Sequence, residues 1–233
     1  MSRPLALVTG VGPGTGSAIV RRLAAGGYSV AMLARDAERL ASLEREVADT
    51  KAYPCDVTDI EQLDRTVAAV QHDLGSPVVF VHNAVGGAFG SFQDIDPQIL
   101  ERNFQVNVMA FLHLARRLAP AMVERGEGTI VATGNTSALR GRANFAGFAP
   151  TKAAQRILAE AMARDLGPKG VHVAYVVIDA VIDLAWTRKR YVDRPDSFFI
   201  KPAAIADEIW HLIHQDRSAW SFNVEIRPFG ETW

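Results

Sequence analysis

The chain has a single cysteine, Cys55, among 233 residues. An internal disulfide is therefore excluded, and the lone thiol suits a reducing compartment, so a cytoplasmic location is expected. Long apolar runs are also missing. The longest strongly apolar stretch, Val173 to Ile182, is interrupted by Asp179, and at roughly ten residues it is about half of what a bilayer span needs. No excess of charge of one sign exists: 25 Lys and Arg against 26 Asp and Glu leave a net charge of −1. That balance excludes a general pull toward nucleic acid or an anionic membrane. Met1 to Gly10 runs straight into a strand and a glycine turn, so no signal peptide is expected. Linkers, repeats and low-complexity segments are absent, and a chain of this length is expected to form one domain over residues 1–233. His211 and His214 stand three apart without a Cys, Asp or Glu set at ligand spacing, so no metal is expected.

What the chain does contain is alternation. The apolar run Leu5 to Thr9 is followed by a helical pattern from Gly14 to Gly26, then a strand from Tyr28 to Leu33. A helix from Asp36 carries Leu40, Leu43 and Val47 on one face, and Ala52 to Cys55 reads as a short strand. A helix over Asp59 to Leu74 follows, and Pro77 to His82 is a continuous apolar strand of the kind buried on both faces. Pro97 to Met122 reads as one long helix with Pro97 in its first turn. Thr129 to Thr133, a helix over Pro150 to Leu166, and Val171 to Ile178 complete the pattern. This order predicts an α/β fold: a doubly wound, mostly parallel sheet of the Rossmann type. Residues 179–201 break the rhythm as a long connection, which suggests a lid or substrate loop. A helix from Pro202 to His214 and an edge strand from Trp220 to Arg227 end the chain.

At the first strand–helix junction stands Thr9-Gly10-Val11-Gly12-Pro13-Gly14-Thr15-Gly16. No frame yields G-x-G-x-x-G; the spacing that fits is Gly10-x-x-x-Gly14-x-Gly16. Glycines there permit positive φ, bring backbone amides up to a pyrophosphate and set a helix N-terminus against its charge. A tight turn without ligand is the plainer alternative. At the end of the second strand, Leu33-Ala34-Arg35 offers a guanidinium and no carboxylate at the tip. An Arg there accommodates a 2′-phosphate, so NADP(H) is expected over NAD(H). Arg35 as a solvated loop charge remains open, and Asp36 reads either as a ribose ligand or as the N-cap of the next helix.

The chain resembles the short-chain dehydrogenase/reductase family over nearly its whole length. The residues that carry the resemblance are Thr9-Gly10-x-x-x-Gly14-x-Gly16, Asp56-Val57, Asn83-Ala84, Asn107 within Val106-Asn107-Val108, and Lys152. Gly10, Gly14, Thr15, Gly16, Arg35 and Val181 are expected to line the cofactor, and the resemblance implies that Asp56 and Val57 hold its adenine. It implies that Asn83 and Ala84 stabilise the turn after the fourth strand, that Asn107 anchors a water relay, and that Lys152 binds the nicotinamide ribose. Singly, Asp56 also reads as a helix cap, Asn83 as a turn residue and Lys152 as a surface charge. The family further implies a homo-dimer or homo-tetramer, pairing through the long helix from Pro97 to Met122 and the helix after Phe148, with the Trp220–Arg227 edge strand as another seam.

The departures gather at the chemistry. Phe148 begins Phe148-Ala149-Pro150-Thr151-Lys152, where family members have the Tyr that protonates the substrate. Thirteen residues upstream, where the family has Ser, stands Asn135, which still donates a hydrogen bond to a carbonyl; Thr136 and Ser137 are close enough to take that place with a small loop shift. Pro-Gly after the sixth strand is replaced by Ile178-Asp179, and Asp183 takes the place of a Thr near the carboxamide. Losing a general acid costs on the order of 10²–10⁴ in rate. Tyr191, Asp179, Asp183, His82 and water on the Asn107–Lys152 path are the candidate replacements. Some family members that reduce enoyl thioesters are similar in lacking the Tyr while keeping the Lys. The expected activity is an NADP(H)-dependent oxidoreductase for an apolar carbonyl or activated alkene, with Asn107, Asn135 and Lys152 in its catalytic site. A non-catalytic dinucleotide-binding sensor or partner subunit is the alternative. Trp186, Phe198 and Phe199 are expected either to cover an apolar small-molecule pocket or to pin the long connection. Arg188-Lys189-Arg190 reads as a solvated face or as an anion contact.

Overall fold

A computed structural model describes residues 3–231; Met1 and Trp233, the ends of the expected domain, lie outside the described residues. Seven strands form one parallel sheet: β1 (Leu5–Thr9), β2 (Ser29–Ala34), β3 (Thr50–Pro54), β4 (Val79–His82), β5 (Gly128–Asn135), β6 (Val171–Ile178) and β9 (Asn223–Ile226). Their order across the sheet is β3-β2-β1-β4-β5-β6-β9. The direction of winding reverses between β1 and β4, and a crevice outside the carboxyl ends of the strands is where such sheets bind ligands.

Both faces of the sheet are covered, as its continuous apolar strands require. Along β1, Leu5 and Leu7 join one core with Phe80, Phe111 and Leu114. Ala6 and Val8 point the other way, toward Ile19, Leu23 and Ile209. The two-residue alternation of a strand thus feeds two cores, one on each side. The helices α1 (Thr15–Ala25), α2 (Ala37–Glu46), α3 (Ile60–Leu74), α6 (Ala149–Leu166) and α8 (Pro202–Ile213) supply the covering layers. Among the described residues no helix is long and apolar enough to cross a membrane.

Two expectations are corrected, the single helix after Pro97 and the bounds of the last strand, and the long connection gains local detail. The helix expected over Pro97 to Met122 is two helices, α4 (Pro97–Phe104) and α5 (Ala110–Arg125), joined by a π-helical turn over Gln105–Met109. A π turn inserts an extra residue into a helix and re-aims its side chains, often at functional sites. Here it carries Asn107, fully buried. Hydrophobic spacing does not register a single inserted residue.

The connection at 179–201 is ordered locally. It contains β7 (Val181–Ile182) paired in parallel with β8 (Phe199–Ile200), and α7 (Ala185–Arg190) between them. Arg188 donates to Asp183 at 2.6 Å and to Asp196 at 2.6 Å, and its guanidinium lies 4.0 Å from the ring centre of Phe199. Arg188 is therefore committed within this segment, and its partner Asp183 is held below the usual carboxylate range by that hydrogen bond. Two-residue strands are too short to show a period.

The last strand is shorter than Trp220 to Arg227. Trp220 precedes it and stacks on His172, with ring centres 4.9 Å apart, while Phe222 packs on the core before pairing begins.

Candidate active site

The glycine turn is shaped by what surrounds it. Gly10 has φ of +67°, and a Cβ on it would come within 2.6 Å of the Ala84 backbone. A Cβ on Gly16 would overlap the Gly10 carbonyl. These positions need glycine because the chain after β4 and the start of α1 press on the turn from two sides. Among the described residues no side chain caps the N-terminus of α1; the Ser17 amide turns back to the Gly12 carbonyl at 3.1 Å, while the amides of Thr15 and Gly16 have no partner. The Leu184 side chain lies directly against Gly14.

Behind the turn is a buried relay of hydrogen bonds. The Thr9 Oγ1 accepts from the amides of Asn83 and Ala84, at 3.2 and 3.3 Å, and lies 3.1 Å from His82 Nδ1. His82 Nε2 is 3.2 Å from the Val106 carbonyl, which can only accept. This assigns the proton to Nε2 and leaves Nδ1 to accept from Thr9. Burial, with the charge of Lys152 as a second cause, pulls His82 down to about 3. His82 is thus a neutral structural group, and its candidacy as proton donor is corrected. Asn83 donates from Nδ2 to the Gly10 carbonyl at 2.9 Å and accepts from Thr133 Oγ1 at 3.1 Å.

Asp56 Oδ1 accepts from the amide and hydroxyl of Thr58, and Val57 beside it is buried. The cap of α3 is Asp59, so Asp56 does not serve as one. Asp36 caps α2 by accepting from the Arg39 amide at 3.0 Å and also pairs with the Arg39 guanidinium. Arg35 is exposed and has no hydrogen bond or ion pair among the described residues. Val181 lies half-buried in β7, opposite Phe199.

At the start of α6, Phe148 is buried as the N-cap residue, its ring against Gly87. Lys152 follows one turn later and is 3 % exposed. Its Nζ donates to the Thr133 carbonyl at 3.1 Å and to Gln155 Oε1 at 2.9 Å, and lies 5.9 Å from the Phe148 ring centre. Among the described residues Lys152 has no carboxylate partner, and burial alone pulls its ammonium down from 10.5 to about 7. The surface-charge alternative for Lys152 is thereby corrected. Asn107 Nδ2 donates to the Gly86 carbonyl and to Thr151 Oγ1, and its Oδ1 accepts from the Gly86 amide. Its carbonyl accepts from Gln155 Nε2 at 2.7 Å. Asn135 turns its Oδ1 back to the Ser137 amide, and its NH₂ has no partner among the described residues.

The pattern of the whole chain finds counterparts among known proteins. A family description named short chain dehydrogenase matches residues 4–187. L-xylulose reductase of Bos taurus is 30% identical over 224 residues, covering 92% of this chain and 90% of that protein. The chain belongs to the short-chain dehydrogenase/reductase family. A short-chain dehydrogenase from Streptomyces avermitilis shares the fold with a TM-score of 0.88 and 26% identity, over 97% of this chain and 89% of that one. A metagenomic short-chain oxidoreductase solved in complex with NADP aligns with a TM-score of 0.85 and 28% identity, over 98% of each chain.

Within this family frame, the surface expected to pair copies carries an apolar groove of about 520 Å³ between α5 and α6, lined by Leu112, Ala115, Ala119 and Met162. Trp186 is largely exposed, whereas Phe199 is buried and Phe198 leans on Tyr191. Phe199 therefore pins its segment, as one of the two expectations had it. Sequence reasoning missed Thr133, Gln155 and Tyr175, whose side chains or carbonyls surround Lys152. A signal for Gln155 existed: a polar residue three places after Lys152 shares its helix face.

Proposed function

We propose that this short-chain dehydrogenase/reductase is an NADP(H)-dependent oxidoreductase with an altered proton-donor site, acting on an apolar carbonyl or activated alkene. The observation that carries the reading is the pairing of Phe148, which has no proton to give, with a buried Lys152 whose ammonium titrates near neutrality. A group poised near the working pH is suited to general acid–base work.

The residues fit a dinucleotide. The turn around Gly10 and Gly16 has backbone where any side chain would collide, and the uncapped start of α1 favours an anion. Arg35 stands free for a 2′-phosphate. When bound, the nicotinamide supplies a hydride. Lys152 holds the proton and passes it through water to the reduced oxygen or carbon, while the Asn135 NH₂ orients a carbonyl. The segment 179–201, with Leu184 against Gly14, shields the site from solvent. Relatives named as reductases, and one solved with NADP, support the same assignment.

The second reading, a non-catalytic dinucleotide-binding protein, is favoured by one observation: two of the three ammonium donors of Lys152 are already taken by Gln155 and Thr133. NADPH titration followed by a turnover screen separates the two. The expected result is tight NADPH binding, slow reduction by the wild type, and an increase in ketone reduction of about 10²–10⁴ in Phe148→Tyr, because a phenol near a cation regains an acid. Binding without turnover in either protein would favour the second reading.

A further inference from the structure

Among the described residues Lys152 is a buried cation held by neutral groups. Such an arrangement is expensive unless each hydrogen bond is well made. The carbonyl of Thr133 is fixed by β5 and has no freedom to adjust. The adjustable partner is Gln155, completely buried, whose amide reaches two ways: Oε1 to Lys152 Nζ at 2.9 Å and Nε2 to the Asn107 carbonyl at 2.7 Å. Both ends of the amide are thereby used, and its orientation is determined by chemistry, since a carbonyl accepts and an ammonium donates. Behind it, the Tyr175 hydroxyl lies 3.4 Å from Oε1 and 3.3 Å from the Lys152 carbonyl. Gly134 makes the room, because a Cβ there would overlap the Tyr175 ring and hydroxyl.

We propose that Gln155 is a positioning residue of the proton-donor end, tying the π-helical turn to Lys152 and setting both the direction of its ammonium and how firmly it holds its proton. The proposal rests on the reading of Lys152 as the proton-bearing group of the site. A neutral amide suits this task where a carboxylate does not: a carboxylate would keep the ammonium charged throughout the physiological range. Around Lys152 the facing groups are few. They are Gln155 on its own helix, the Thr133 carbonyl on β5, the Tyr175 hydroxyl on β6, neutral His82 on β4 and Asn107 on the π turn. Burial holds Tyr175 protonated far above the usual phenol range. Among the described residues no charged group pairs with the Lys152 ammonium.

The test is an NMR titration of the Lys152 ammonium in the full chain, assigned by its loss in Lys152→Met, for wild type, Gln155→Met and Gln155→Glu. Gln155→Met keeps the volume and removes the acceptor, so the midpoint should fall by roughly one to two pH units. Gln155→Glu adds a charge of opposite sign beside the ammonium, and the midpoint should rise by roughly one to three units. Opposite movements are the signature that a structural role alone would not produce. An unchanged midpoint in Gln155→Met, or movement of both variants in one direction, overturns the proposal. Should Gln155→Glu fail to fold, Gln155→Met alone decides. If the midpoints move and no protein in the series turns over any substrate, the positioning stands and the oxidoreductase reading falls. If wild type turns over and the pH profile of Gln155→Met is identical, the positioning falls and the oxidoreductase reading stands.

Discussion

The glycine turn and the start of α6 meet at one residue and are built from different materials. Thr133 touches both, its hydroxyl on Asn83 behind the turn and its carbonyl on Lys152. On the turn side nearly everything is backbone: a positive φ at Gly10, close approach at Gly16, and amides of Asn83 and Ala84 gathered on Thr9. The buried imidazole behind the turn, His82, is held neutral. On the α6 side the work falls to side chains, and a lysine is buried without a counter-ion. The first arrangement is set by steric necessity; the second buries a cation at a cost of the sort found at working sites.

The comparison can be broken most forcefully at Gly10. Gly10→Ala must hold a left-handed backbone and press a Cβ on the Ala84 main chain, which cannot yield. The expected loss is about 2–5 kcal/mol in urea unfolding. A loss below about 1 kcal/mol would show that the turn is softer than its geometry implies.

Lys152→Met should act in the opposite sense. The folded-state value near 7 lies below the 10.5 of the unfolded chain, so the unfolded state holds the proton more tightly. Stability from this group is therefore complete above pH 10.5, falls as pH drops toward 7, and levels off below it. Replacing the ammonium removes that penalty, offset by the acceptors left on Gln155 and Thr133. A net gain of about 1–3 kcal/mol is expected at pH 7, shrinking to nothing by pH 10. Equal destabilisation at both pH values would remove the contrast between the two ends.

The same contrast explains what could be read from the chain before its fold. Gly10, Gly14 and Gly16 are legible because backbone conformation restricts residue type, and the strands are legible because burial on both faces leaves unbroken apolar runs. The π turn at Asn107 was not, since one inserted residue leaves the hydrophobic spacing nearly intact. Nor was the environment of Lys152. It is assembled from β5, β6, α6 and the π turn, and only the tertiary fold brings Thr133, Tyr175 and Gln155 to one ammonium. Arg188 illustrates the intermediate case: its charge was visible, but its partners Asp183 and Asp196 lie five residues before it and eight after, beyond any helical spacing that would mark them together.

The mildest intervention sharpens the turn side. Arg35 follows β2 at the surface with no partner among the described residues, while its neighbour Asp36 is occupied by the α2 cap and by Arg39. A carboxylate already committed to an amide and a guanidinium is a poor ligand for a ribose hydroxyl, and a free guanidinium is a good one for a phosphate. Our reading of NADP(H) therefore predicts that wild type binds NADPH more tightly than NADH. Arg35→Ala should weaken NADPH by about tenfold, roughly 1.5 kcal/mol, at the lower end of the range for a charged contact because the site is exposed. NADH affinity should not change, and the NADPH advantage should shrink as salt is raised. Titration of both cofactors into both proteins measures all of this. Equal affinities in the wild type would refute the assignment, and equal losses for both cofactors in Arg35→Ala would mean that Arg35 shapes the turn rather than reading the phosphate.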